Sequence, residues 1–120
     1  MPGSQTHHGI DYIEFSVTDM TKAKDFYSAA FGWSFNEYGP DYAGIKKQES
    51  EGEVGGFAKG ETVTIGGPLV VLYSNDLDSS FVKVKEAGGN IVKDIFEFPG
   101  GKRFEFTDPS RNMLAVWSDK

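Results

Sequence analysis

Asp11–Trp33, DYIEFSVTDMTKAKDFYSAAFGW, decides how this chain is read, because its pattern returns in Pro68–Asn90, PLVVLYSNDLDSSFVKVKEAGGN. A shift of 57 positions lays Asp19 on Asp76, Met20 on Leu77, Ala30 on Ala87 and Gly32 on Gly89. Few residues are identical, but the apolar spacing and its punctuation repeat. The repeat predicts one small domain built from two similar modules, with the function lying between them.

Within the first copy, Ile10–Val17 alternates as a half-buried strand does. Ile13, Phe15 and Val17 share one face, the core face; Tyr12, Glu14 and Ser16 share the other, which faces solvent or a cleft. Thr18 or Asp19 can cap the next helix by accepting its free N–H groups. Met20, Ala23, Phe26, Tyr27, Ala30 and Phe31 form an apolar stripe at helical spacing, and Gly32 ends it. Trp33–Tyr38 alternates as a second strand, and Tyr42–Ile45 reads as a short third one. Lys46–Glu53 is a charged loop. The Gly55-Gly56 pair in Val54–Ala58 marks a bulge or a close backbone approach. No helix-forming segment and no Gly-Lys-Ser/Thr follow those glycines, so they do not form a phosphate loop.

Lys59–Gly67 connects the modules and ends in the turn signal Gly66-Gly67-Pro68. Leu69–Tyr73 is the opening strand of the second copy. Asp76 or Asp78 can cap a helix whose buried face is Leu77, Phe81, Val84 and Gly88. Ile91–Phe98 and Lys102–Thr107 read as strands around the turn Pro99-Gly100-Gly101. Asp108–Asn112 is a turn, because Pro109 fixes one dihedral while Asp and Asn side chains bond their own backbone. Met113–Trp117 is the last strand, with Leu114 and Val116 on one face and Met113, Ala115 and Trp117 on the other.

Composition bounds the function. A chain of 120 residues with 38% hydrophobic and 14% aromatic residues holds one globular domain. It divides into a flexible arm, residues 1–9, and a domain, residues 10–120, with modules at about 10–60 and 67–118. A net charge of -6 argues against nucleic acid, whose phosphates need clustered Lys and Arg. The absence of cysteine excludes disulfides, thiol nucleophiles and Cys-ligated metals, and fits a cytoplasmic protein. No apolar run approaches the roughly 20 residues of a membrane span. The start, MPGSQTHHG, lacks the pattern of a secretion signal. The only histidines, His7 and His8, sit in that polar arm and read as solvated rather than ligating.

Two stretches carry a family resemblance. Val17-Thr18-Asp19-Met20 leading to Phe26-Tyr27 and Phe31-Gly32-Trp33 resembles the strand-into-helix of the vicinal oxygen chelate superfamily, which contains glyoxalase I, extradiol dioxygenases and bleomycin-resistance proteins. Phe106-Thr107-Asp108-Pro109-Ser110-Arg111-Asn112 leading to Leu114-Ala115-Val116-Trp117 resembles its Asp-Pro-x-Gly-Asn turn before the final strand. Arg111 departs from the pattern, where the family usually has Gly, at a cost of about 1 kcal/mol if the position needs a positive φ. The resemblance implies an α+β fold: two tandem βαβββ modules forming a curved mixed sheet around a cleft. In the family that cleft often completes itself across a dimer, so a homodimer is expected.

Metal-using members of the family place four ligands, usually His and Glu, on the cleft strands. Matched one at a time, those positions fall on Tyr12, Leu69, Ala115 and, by the 57-residue shift, Ala58. Leu and Ala cannot bind a metal, and a lone Tyr is a poor substitute for imidazole or carboxylate. Glu14 and Glu105 are the only plausible carboxylate pair on the predicted cleft faces. The expectation is therefore a member without metal or other cofactor that binds a small organic molecule, as the bleomycin-resistance branch does. Tyr12, Glu14, Tyr73, Met113 and Trp117 would line the cleft, apolar walls with a few polar anchors. The alternative is a glyoxalase-like lyase or isomerase, or a dioxygenase-type enzyme. It would use a divalent metal, or Glu14 as a base whose pKa burial has raised. A third reading is a non-catalytic regulatory domain whose own aromatics fill the cleft.

Overall fold

Each half of the chain folds as a strand, a helix and three strands. The computed structural model describes residues 6–63 and 65–120. β1 (Ile13–Val17) leads into α1 (Met20–Phe31), then β2 (Phe35–Glu37), β3 (Tyr42–Lys46) and β4 (Glu53–Lys59). The second half gives β5 (Val70–Tyr73), α2 (Leu77–Glu86), β6 (Asn90–Phe98), β7 (Gly101–Thr107) and β8 (Met113–Ser118). The strands make two four-stranded mixed sheets, ordered β1-β4-β3-β2 and β5-β8-β7-β6. In each, the first strand pairs parallel with the last, and the remaining pairs are antiparallel. Parallel neighbours need a long crossover, and the helix with its following strands supplies it. The expected tandem βαβββ arrangement is thus present, as two separately hydrogen-bonded sheets.

The N-caps are where the repeat puts them, whereas α2 ends two residues early, at a C-cap on Ala87 rather than Gly89. The Asp19 carboxylate accepts from the Lys22 N–H at 3.0 Å, and Asp76 does the same for Ser79 at 3.2 Å. Gly32 closes α1 with a φ of 74°, a conformation that costs glycine nothing. α1 buries Met20, Ala23, Phe26, Tyr27 and Ala30, the predicted stripe, with Phe31 half-buried. α2 buries fewer side chains, Leu77 and Val84, with Phe81 packed against the core.

One core joins the modules. The Tyr27 ring lies 5.3 Å from Phe57 of the first sheet, while its neighbour Phe26 lies 5.9 Å from Phe106 of the second. α1 is therefore shared by both sheets. Phe26, Phe57, Phe104 and Phe106 are almost wholly buried, and each such side chain contributes about 1.5–3 kcal/mol by leaving water.

The register corrects one match made from sequence. Phe15 lies beside Phe57 in the first sheet, and Leu72 beside Val116 in the second. The first strands are offset by 57 (72 less 15) but the last strands by 59 (116 less 57). The residue of β4 equivalent to Ala115 is Gly56, not Ala58. The physical reason is the second module's longer hairpin: β6 has 9 residues where β2 has 3. Of the arm, residues 1–5 lie outside the described residues, as does residue 64 of the connection. His7 and His8 are exposed and stacked on each other at 3.8 Å.

Candidate functional site

The turn Asp108–Asn112 holds the two modules in place around the site. Asp108 is buried, and its carboxylate accepts from the Ser110 and Asn112 N–H groups at 2.8 and 2.9 Å. It also accepts from the Asn112 side chain at 3.1 Å and from the Tyr27 hydroxyl at 2.8 Å. Burial, then the Asp108 charge and hydrogen bond, push the Tyr27 hydroxyl well above its ordinary pKa, so it stays a donor. The turn then reaches across to the first module. Asn112 Nδ2 donates to the Ser16 carbonyl at 2.8 Å, and the Thr18 N–H donates to Ser110 Oγ at 3.0 Å. Arg111 sits between them with a φ of 73°, the positive value expected of the family's glycine.

Beside this junction lies a cavity of about 540 Å³. It is walled by Ile13–Ser16 of β1, by Val63 and Ile65–Leu69 of the connection with Val70 of β5, and by Arg111–Met113. A cavity over a sheet's face meets side chains of one parity. This one meets four consecutive residues of β1, so it opens on the strand's edge, between the two sheets. Its walls are mostly apolar, with Glu14 and Arg111 as the charged residues.

Next to the cavity, the exposed face of the first sheet carries a tyrosine–carboxylate network. Tyr42 donates to Glu14 at 3.1 Å, and its hydroxyl lies 2.6 Å from that of Tyr12. Glu53 accepts from Tyr38 at 2.6 Å and from Asn36 at 2.8 Å. Two glycines make the floor. A Cβ on Gly56 would overlap the Tyr42 and Tyr12 hydroxyls, and one on Gly44 would overlap the Glu53 carboxylate. Desolvation, then the bonds to Tyr12 and Glu14, push the Tyr42 hydroxyl above its ordinary pKa. The Tyr38 hydroxyl, then Asn36, hold Glu53 below its ordinary 4.5.

Of the residues predicted from sequence, Glu14 and Met113 line the cavity, and Tyr12 reaches Tyr42 beside it. Tyr73 and Trp117 do not line it. They contact each other at 5.4 Å on the second sheet, and Tyr73 donates to Asp119. Glu105 does not join Glu14: it is paired with Arg103 at 2.9 Å, while Glu14 takes Tyr42. Sequence reasoning missed Tyr42, Tyr38, Asn36 and Glu53. The available signal was the alternation of β2 and β3, which puts Asn36, Tyr42 and Gly44 on the face of Glu14 and Gly56.

The four family ligand positions, with the register applied, are Tyr12, Gly56, Leu69 and Ala115. They offer one side-chain oxygen, and Tyr42 engages it. Ala115 is wholly buried. Among the described residues, no group of three or more His, Cys, Asp or Glu side chains could hold an ion together. The residues present do not fit a divalent metal at this place.

Comparison with known proteins agrees with this architecture. A relative in Mycobacterium bovis and Mycobacterium tuberculosis, named "Putative glyoxylase CFP32", is 23% identical over 122 residues, covering 89% of this chain. The chain spans only 44% of that relative's length. Among solved structures, a glyoxalase-related enzyme from Fulvimarina pelagi superposes with a TM-score of 0.77 at 18% identity, covering 92% of this chain and 88% of the other. TnmS3, an antibiotic binding protein from Streptomyces sp. CB03234, superposes with a TM-score of 0.67 at 19% identity, covering 92% and 94%. At these identities the superpositions establish the fold. The profile of the family itself matches residues 9–116, nearly the whole chain, so the paired βαβββ modules and the turn that stitches them are those of a member of the Glyoxalase/Bleomycin resistance protein/Dioxygenase superfamily.

Proposed function

We propose that this protein binds a small organic molecule between its two modules, without a metal and without turning it over. The observation that carries the reading is the chemistry of the four ligand positions: a tyrosine whose hydroxyl is already bonded, a glycine, a leucine and an alanine. Beside them stands a cavity of about 540 Å³ with apolar walls and few charged groups, within the ~300–1,000 Å³ usual for small-ligand sites. The structural neighbours include an antibiotic binding protein, which supports binding as a use of this architecture. In this reading Glu14, Tyr12 and Met113 contact the ligand, with Tyr42 orienting the first two. Tyr73 and Trp117 serve only a ligand that extends onto the second sheet. The protein acts as a cytoplasmic homodimer, which sedimentation at working concentration checks.

The test is metal analysis of the purified protein lacking its His7-His8 arm, with Ni²⁺ and Zn²⁺ titrations beside it. The expected result is no stoichiometric metal and no saturable binding. One tightly bound ion per chain overturns the reading and moves a metal-dependent lyase or isomerase ahead. Turnover of an oxygen-rich small molecule that survives chelation and is lost in Glu14→Gln would instead make Glu14 a base.

A further inference from the structure

We infer that the cavity between the modules recognises the amide backbone of its ligand, by pairing it with the free edge of β1. This deepens the small-molecule reading above and rests on it. The backbone geometry carries the inference. β1 pairs only with β4, and β5 only with β8, so the edges that face the cavity have no strand beside them. Which groups point outward follows from the recorded bonds. The Val17 carbonyl accepts from Gly60, on the β4 side. The Ser16 carbonyl and the Thr18 N–H turn the other way, to Asn112 and Ser110.

Alternation then places the Glu14 N–H and carbonyl and the Ser16 N–H on the outward edge. None of these three has a hydrogen-bond partner among the described residues. On the facing strand, Ser74 donates to Trp117 within its own sheet. Leu69 and Val71, of opposite parity, therefore present their backbone groups outward.

The turn Asp108–Asn112 explains why the slot is short. Its side chains occupy the last outward groups of β1, leaving a gap of three residues, Glu14 to Ser16, whose two steps span about 6.6 Å at a strand's rise. A second strand of ordinary length does not fit such a gap. Two or three consecutive amides do, in keeping with a cavity of about 540 Å³. One ligand residue opposite Glu14 would donate to its carbonyl and accept from its N–H, and the carbonyl of the ligand residue two positions along, opposite Ser16, would accept from the Ser16 N–H. Side chains of the ligand would lie on Ile13 and Phe15 to one side and on Met113 to the other. The ligand class is thus a compact peptide or other small molecule bearing successive secondary amides.

The probe is N-acetyl-trialanine N-methylamide, which has no charged termini, titrated into the full ¹⁵N-labelled chain. Its counterpart with every amide N-methylated has the same shape class but no N–H to donate. The expected result is a saturable shift of the Glu14 and Ser16 amide resonances with the first peptide. At equal concentration, the response to the second should be at least tenfold weaker. Glu14→Pro removes the outward N–H without breaking a bond to β4, and should abolish the Ser16 amide response to the first peptide. Equal response to both peptides, or none at the Glu14 and Ser16 amides up to the peptide's solubility, overturns the inference. In that case aromatic ligands that still bind the cleft in a thermal-shift screen leave the small-molecule reading standing, whereas failure of both removes it.

Discussion

At the scale of single residues, Asp108 has the most consequence. Its carboxylate accepts four hydrogen bonds, three within its own turn and one from Tyr27 in the other module. Asp108→Ala should cost about 2–4 kcal/mol, since it leaves buried donors without partners. Tyr27→Phe should cost less, roughly 1.5–3 kcal/mol, because a single bond to a charged group is lost and the turn keeps the rest. Urea denaturation of both variants checks the order. Glu53 makes a prediction in pH. The Tyr38 hydroxyl lowers its pKa below the ordinary 4.5, so its stabilisation is present above that value and lost as pH falls through the lowered one. Tyr38→Phe should therefore flatten the fall of stability on the acid side of pH 4.5, and an unchanged acid limb would contradict the assignment.

The scale of elements separates two neighbouring glycines that look alike in sequence. A Cβ on Gly55 would run into the Ile13 carbonyl, part of the backbone that pairs β1 with β4. A Cβ on Gly56 would meet only the hydroxyl ends of Tyr42 and Tyr12. Backbone cannot step aside without breaking the ladder, whereas tyrosine hydroxyls can swing. Gly55→Ala should destabilise by about 1–3 kcal/mol, as overpacking does. Gly56→Ala should cost about 0.5–1.5 kcal/mol, the worth of one hydrogen bond. It should also lower the Tyr42 pKa, read by ultraviolet titration. The sequence marked this pair as a close approach, and the structure says which glycine meets backbone. The 57-residue repeat located strands, helices and N-caps, but it misplaced the β4 match and the end of α2 by two residues each. Hairpin length is set by local pairing, which a fixed shift cannot see.

For the whole molecule, α1 lies between both sheets, so the halves share one core rather than owning two. The chain should unfold in a single transition, with calorimetric and van't Hoff enthalpies equal. A fragment of residues 10–60 should stay unfolded, because Phe26 and Phe31 lose Phe106 and face water. Among the described residues, no helix is long and apolar enough to cross a membrane. By itself, the sequence determined the two modules, the helix stripes, the caps, the Asp108–Asn112 turn and the absence of metal-ligand side chains at three family positions. These are local facts, written in spacing and residue type. Only the tertiary structure decided that Glu14 and Met113 share a cavity while Tyr73 and Trp117 turn to each other. It also decided that Tyr42, Tyr38 and Glu53 crowd over glycines and that β1 keeps an open edge. Those depend on which strand lies beside which and in what register. Pairing between residues 40 or 90 positions apart is fixed by the packing of the shared core, to which neighbouring residues in the chain are blind.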